Sequence, residues 1–347
     1  MSNRKSELIL LSICHLLVDG VCAAVLLRDD SILQLGTAIL LYDTFAFSTQ
    51  CLTGILPDRF GHARLFLLLS ALILAAGTLL PLSIIPQAIV MGLGNSLFHV
   101  SGGYLTLKSS HSMGPLGVFV APGAVGLFLG TAFPVLGLPF ILLLAVLSVL
   151  IALPEFRPAA AETRAAGADD FPGKTDAAQK SGTEPCRRPS LYAALLLIAV
   201  AARAVGGSAV VFPWKTGVLT AAVLTTAIFL GKTCGGFAAD RLGLQKTAAL
   251  SVAAASALLI FFSGNMVLSL TGQFALNLSM PITLWLVYRL YPDSPGFAFG
   301  LAAAALWPGT LAGKLIHLSG IWAGLLTFTC FAAGLAAVIF VHRRLKK

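Results

Sequence analysis

The chain has 347 residues, of which 57% are hydrophobic and 11% are charged, and its mean hydropathy is +0.91. Soluble domains carry about 25% charged residues, so the composition excludes an ordinary water-soluble fold. The formal charge of +9 does not indicate nucleic-acid binding, because the basic residues cluster between apolar segments without interleaved aromatic residues.

Apolar segments of about 20 residues, the length that crosses a bilayer core, recur along the chain and predict an all-α polytopic membrane protein. The predicted helices span 7–27, 32–56, 65–82, 86–108, 115–133, 138–154, 191–212, 217–239, 247–262, 266–289, 295–316 and 320–341. They form two six-helix bundles, in residues 1–154 and 191–347. Residues 155–190 contain six acidic and six basic residues and no apolar periodicity, which predicts a flexible linker.

Basic residues concentrate at one set of helix ends, at both termini and in the linker. The opposite ends hold little beyond Arg28, Lys215 and Lys314. The positive-inside rule therefore predicts that both termini and the linker are cytoplasmic. The first helix lacks a small-residue cleavage site and is expected to be retained. We expect a multi-pass protein of a bacterial plasma membrane.

A charged motif occurs twice with identical spacing, and the copies lie 236 − 54 = 182 residues apart. Its residues are Gly54, Asp58, Arg59, Gly61 and Arg64 in the first copy, and Gly236, Asp240, Arg241, Gly243 and Lys246 in the second. Each copy lies between two apolar segments and predicts a short cytoplasmic hairpin. Because an even number of helices separates the copies, the two bundles are parallel repeats.

Three of the five motif positions have a physical role in such a hairpin. The first glycine lets two helix backbones approach closely, and the second can adopt the positive φ of a tight turn. The aspartate can stabilise the positive N-terminus of a neighbouring helix. The hairpins are therefore candidate cytoplasmic gates. The alternative is a topology anchor without a gating role.

The paired hairpins, the helix count and the position of the linker resemble the major facilitator superfamily (MFS) of secondary transporters over nearly the whole chain. The resemblance implies that Asp58 contacts the helix beginning at Pro295, and that Asp240 contacts the helix beginning at Pro115, when the cytoplasmic side is shut. Residues 117–130 resemble the Gly/Pro-rich signature of the family's antiporters, which favours export.

Several polar residues lie in the middle of predicted helices, where an ionisable group is costly unless it faces a partner or water. These candidates for a substrate and proton pathway are His15, Asp19, Asp43, Asn95, His99, Arg203, Gln273 and Asn277. Asn95 and Asn277 are equivalent in the repeat, since 95 + 182 = 277. Near the helix ends, Lys232 and Lys314 are expected to extend to the membrane surface.

His15 and Asp19 are four residues apart and share one helix face. The pair either binds and releases a proton or forms a static hydrogen bond. Arg203 either binds an anionic substrate group or pairs with Asp19 across the two halves, and the pairing is favoured. Asp43 is either part of the pathway or bonded to a neighbouring helix, and His99 is either a cavity group or a core histidine.

The leading hypothesis is a monomeric, proton-coupled transporter that moves a small solute across the lipid bilayer and needs no cofactor. The chain has no Gly-x-x-x-x-Gly-Lys-Ser/Thr motif for ATP, and no Cys-x-x-Cys or Cys/His spacing for a metal. A membrane enzyme is disfavoured, because the sequence has no His-Glu-x-x-His or Gly-x-Ser-x-Gly motif and no clustered carboxylates within the predicted helices. The remaining alternative is a transporter-like receptor or scaffold without solute flux.

Overall fold

The computed structural model describes residues 2–27, 32–153, 188–316, 318 and 320–346. Within these ranges the chain forms twelve long helices and no strand. The N-terminal helices are α1 (Ser2–Leu26), α2 (Ile32–Asp43, Thr44–Ser48, Gln50–Thr53 and Ile55–Phe60), α3 (Ala63–Leu79), α4 (Ile84–Ser109), α5 (Gly114–Val120 and Pro122–Ala132) and α6 (Gly137–Ala152, after the 3₁₀ turn Pro134–Leu136). The C-terminal helices are α7 (Pro189–Ser208), α8 (Val218–Leu242), α9 (Leu244–Phe261), α10 (Met266–Asn277 and Met280–Leu290), α11 (Pro295–Ala304 and Leu306–Leu315) and α12 (Gly320–Leu345).

In the described part of the chain, eleven of these helices are long and apolar enough to cross a membrane, and α3 is a shorter apolar helix. The predicted all-α fold is confirmed. Helix α7 begins two residues earlier than predicted, because Pro189 is a favourable first helical residue. The rest of the predicted linker, residues 155–187, and Arg28 lie outside the described residues.

Four helices are interrupted near their centres. A π-helical segment, Thr44–Ser48, widens α2. Pro122, Pro281 and Pro308 accompany the breaks in α5, α10 and α11, because proline lacks an N–H and clashes with the preceding turn. Residues beside all four interruptions line the cavity between the two halves.

Helix α1 packs closely against α5 along a stripe of glycines. A methyl group at Gly126 would overlap the carbonyl of Leu16, and one at Gly130 would overlap the carbonyl of Gly20. Small residues of this kind allow membrane helices to approach at backbone distance. The close approach places one face of α1 directly against the backbone of α5.

The two halves contact each other mainly at the end of the bundle that carries residues 54–64 and 236–246, here called the hairpin side. Helix α2 packs on α11, and α5 packs on α8. The contacts are again made by glycines: Gly54 faces the carbonyl of Gly296, and Gly236 faces the carbonyl of Met113. The halves are therefore joined at the hairpin side, with a cavity between them at mid-depth.

Candidate functional site

The carboxylate of Asp58 caps the N-terminus of α11. Its Oδ1 accepts a hydrogen bond from the backbone N–H of Gly296 at 2.8 Å, and its Oδ2 accepts one from Phe297 at 2.7 Å. These N–H groups have no partner within their own helix, and the helix dipole favours an anion at this position. The contact implied by the family resemblance is present.

Asp240 makes the equivalent contact in the other half. Its two carboxylate oxygens accept hydrogen bonds from the backbone N–H groups of Met113 at 2.9 Å and Gly114 at 2.8 Å, at the start of α5. The hairpin turns have the predicted backbone, with φ of +69° at Gly61 and +91° at Gly243. Each half thus caps a helix of the other half, and we call the two contacts the latches.

The basic residues of the two motifs differ in their surroundings. Arg59 and Arg241 are exposed. Arg64 forms an ion pair with Glu7, a buried residue of α1, whereas Lys246 is exposed and forms no salt bridge among the described residues. The sequence did not identify Glu7, because it lies at the start of the first predicted helix, 57 residues from its partner.

A cavity of about 340 Å³ lies between the two halves. Its polar lining consists of His15, Asp19, Gln50, His99, Arg203, Lys232 and Thr283. Apolar side chains form the rest of the wall, among them Phe47, Leu127 and Phe299. The structure therefore brings four of the eight predicted pathway residues into one chamber.

The two histidines of the cavity are held by backbone carbonyl groups. His15 Nδ1 lies 2.7 Å from the carbonyl oxygen of Phe119, and His99 Nδ1 lies 2.9 Å from that of Asn95. A carbonyl oxygen only accepts hydrogen bonds, so both Nδ1 atoms carry a proton. The Nε2 atoms remain available for other contacts, and both histidines line the cavity.

The two Nε2 atoms lie 2.9 Å apart, a hydrogen-bond distance. Two neutral rings with protonated Nδ1 atoms would oppose two lone pairs here, so a hydrogen bond between His15 and His99 requires one additional proton. The pair then carries one positive charge. Asp19 balances this charge, because its carboxylate oxygens lie 3.4 Å from His15 Nε2 and 3.7 Å from His99 Nε2.

Asn95 orients the acidic member of this triad. Its amide donates a hydrogen bond of 2.9 Å to Asp19 Oδ1, and it is buried behind the cavity wall. The Asp19 side chain remains 21% exposed, so solvent in the cavity can reach it. His15, Asp19 and His99 thus form a cluster of three titratable side chains that could share one proton, and we call it the triad.

The ligand atoms of the triad lie within 4.8 Å of one another and could also hold a metal ion. The sequence motifs predicted no such site, because its members come from two helices. Two observations favour a proton over a divalent cation. The Nε2 atoms already lie at hydrogen-bond distance, and Arg203 and Lys232 bring positive charge into the same cavity.

The predicted pair between Arg203 and Asp19 is not present. Among the described residues, Arg203 forms no salt bridge, and its Nε is buried without a hydrogen-bond partner. Lys232 was expected at the membrane surface, but it lines the cavity. Helix α8 continues to Leu242, so this lysine lies about 15 Å from the helix end. The repeat relates Lys232 to a second cavity residue, because 50 + 182 = 232 makes Lys232 the equivalent of Gln50, which also lines the cavity.

Gln273 and Asn277 are buried in α10 and are not among the residues that line the cavity. The amide of Asn277 donates to the carbonyl oxygen of Gln273 at 2.9 Å. Asp43 lines a neighbouring cavity of about 310 Å³, together with Lys314. Both cavities share Phe47, Leu127 and Leu306.

Paired six-helix bundles, reciprocal hairpin latches and a central cavity are the arrangement of MFS transporters, and comparison with solved structures confirms this fold. The chain is similar to a single-residue variant of the E. coli fucose:proton symporter, FucP, with a TM-score of 0.65 and 12% identity over 96% of this chain and 98% of that one. It is also similar to an MFS transporter, FucP, in the outward conformation, with a TM-score of 0.66 and 12% identity over 98% of this chain and 99% of that one. No protein-family model and no curated protein matches the sequence.

Proposed function

We propose that the protein is a proton-coupled secondary transporter of a small solute. The observation that carries this proposal is the triad, three titratable side chains at hydrogen-bond and ion-pair distances that line a cavity enclosed by both halves. A group in this position can load its proton from one side of a membrane and release it to the other when the halves rock. The hydrogen bond between Asn95 and Asp19 and the carbonyl contacts of the histidines keep the site assembled.

The latches distinguish the two forms between which a transporter of this kind alternates, one shut and one open on the hairpin side. In this structure both aspartates cap helices of the opposite half, so the hairpin side is shut. Opening that side requires all four hydrogen bonds to break. Alternation of the two forms gives the substrate site access to each side in turn, as in other repeat-built transporters.

We further propose that the protein works as a monomer in a bacterial plasma membrane, with cytoplasmic termini, as its basic residues indicate. The resemblance to antiporters in residues 117–130 favoured export. In the structure, Gly126 and Gly130 of that segment pack against α1. Close packing against α1 accounts for these glycines, so their presence does not indicate a direction of transport.

The test is transport by the purified protein in liposomes that contain a pH-sensitive dye. A panel of sugars, organic anions, organic cations and amino acids is added outside, and we expect one class to move protons with the solute. Asp19→Asn should abolish the proton signal, while Asp293→Asn, which changes an exposed acid, should not. If ligands bind but no solute or proton crosses the membrane, the protein is a receptor or scaffold.

A further inference from the structure

The charges that line the cavity do not balance. The triad is neutral when its proton is bound, because the charge of the histidine pair offsets that of Asp19. Arg203 and Lys232 then add two positive charges to the lining. Both side chains belong to the C-terminal half and are only partly exposed.

Neither cation has a partner in the part of the chain that the structure describes. No side-chain hydrogen bond or salt bridge involves Arg203 or Lys232 among those residues. Lys232 lies within electrostatic range of both Arg203 and Asp19, and Arg203 lines the same chamber. Unpaired charges removed from water are strongly unfavourable, and a bound anion would offset that cost.

We infer that Arg203 and Lys232 form the binding site for the carboxylate of a small organic monoanion, which is moved together with the proton of the triad. This inference rests on the proposed function and names its substrate class. A guanidinium binds a carboxylate through two parallel hydrogen bonds, and an ammonium adds a point charge. The apolar wall, which includes Val120, Leu127 and Ile228, suits a short hydrocarbon body.

The same geometry sets the direction of coupling. An anion on the C-terminal wall stabilises the protonated triad on the N-terminal wall, and the effect is reciprocal because binding free energies are linked. Proton and anion therefore bind cooperatively, and they move in the same direction. The other titratable or charged groups near the triad are Cys22 of α1, Tyr42 of α2 and Lys232 of α8, and Arg203 lies within electrostatic range of Lys232.

The first experiment measures binding of hexanoate to the full-length protein in lipid nanodiscs. Hexanamide is the uncharged control and hexylammonium is the control of opposite charge. We expect hexanoate to bind at least tenfold more tightly than either. With one proton taken up per carboxylate bound, its affinity should rise about 100-fold between pH 8 and pH 6, because proton binding and anion binding are linked.

Variants locate the site. Arg203→Gln and Lys232→Gln should each weaken hexanoate binding at least tenfold, whereas Lys215→Gln, which changes an exposed lysine, should leave it unchanged. Arg203→Lys keeps the charge but loses the paired hydrogen bonds, so its affinity should be intermediate. If one variant does not fold, the other variant and the wild-type pH dependence still test the inference.

Three results would overturn the inference. They are equal binding of hexanoate and hexanamide, unchanged affinity in folded Arg203→Gln and Lys232→Gln, or hexanoate affinity that does not change with pH. If hexanoate does not bind but a sugar or an organic cation drives proton movement in liposomes, the inferred substrate class is wrong and the proposed function stands. If no solute of the panel moves protons, the proposed function fails as well.

Discussion

The Asp58 latch should control how often the hairpin side opens. Asp58→Asn preserves the shape of the side chain but replaces one of its two accepting oxygens with an amide group. One of the hydrogen bonds to Gly296 and Phe297 is then lost, and the other no longer involves a charged acceptor. A hydrogen bond to a charged group contributes about 1.5–3 kcal/mol, and the attraction of the helix N-terminus adds about 0.3–1 kcal/mol.

We therefore expect Asp58→Asn to destabilise the shut form by about 2–3 kcal/mol. This raises the ratio of open to shut molecules by about 30- to 140-fold, at about 1.4 kcal/mol per factor of ten. Double electron–electron resonance between spin labels at positions 111 and 289 would measure the separation of the two halves. Both positions are exposed on the hairpin side, outside the latches. The labels would be placed in a background in which the six native cysteines are replaced by alanine.

The wild-type protein should show a short separation, and Asp58→Asn should add a longer one. Combining it with Asp240→Asn should shift the population further, because both latches hold the same interface shut. Asp293→Asn is the matched control, since this exposed acid caps no helix among the described residues. Identical distance distributions for wild type and Asp58→Asn would reduce the hairpins to topology anchors.

Three further predictions concern packing. Gly123→Ala places a methyl group against His15 and Asp19, so proton-coupled transport should fall at least tenfold in the liposome assay. Gly36→Ala, where nothing lies within 4 Å, should leave transport unchanged. An equal loss of transport in both variants would show that the effect of Gly123→Ala does not come from its contact with the triad. Glu7→Gln leaves a partly buried arginine unpaired and should lower the free energy of unfolding by about 3 kcal/mol, as measured by thermal or denaturant unfolding. Lys246→Gln should not lower it, and equal stabilities would show that the ion pair is dispensable. Gly54→Ala would push the methyl group into the backbone of Gly296, so labelled hairpins should separate as in the latch variants; an unchanged separation would argue against close backbone contact there.

The helices and the latches could be predicted because both depend on local patterns. Apolar segments of membrane length define the helices, and each capped helix begins next to a proline that the sequence displays. At the end opposite the hairpins, α7 ends 212 − 208 = 4 residues earlier than predicted. On the hairpin side two helices are longer than predicted, since α1 begins 7 − 2 = 5 residues earlier and α2 ends 60 − 56 = 4 residues later. Charged residues at those ends continue the helix beyond the apolar segment.

The triad could be predicted only in part, because its geometry depends on packing between distant segments. His15 and Asp19 share a helix face, which the sequence shows, but the position of His99 beside them follows from the way α4 and α5 enclose α1. The same limit explains Lys232 and Arg203. Hydropathy places a residue along a membrane helix, but only the neighbouring helices decide whether it faces lipid, a partner or a cavity.

The cavity also bears on the ancestry of the chain. Two identical units joined by a two-fold axis would present the same side chains on both walls. Here Asp19 of one wall corresponds to Ala201 of the other, and Lys232 corresponds to Gln50, under the 182-residue offset. The latches keep the symmetry of the repeat and the chamber lacks it, so the residues that line the chamber differ between the two halves more than the latch residues do.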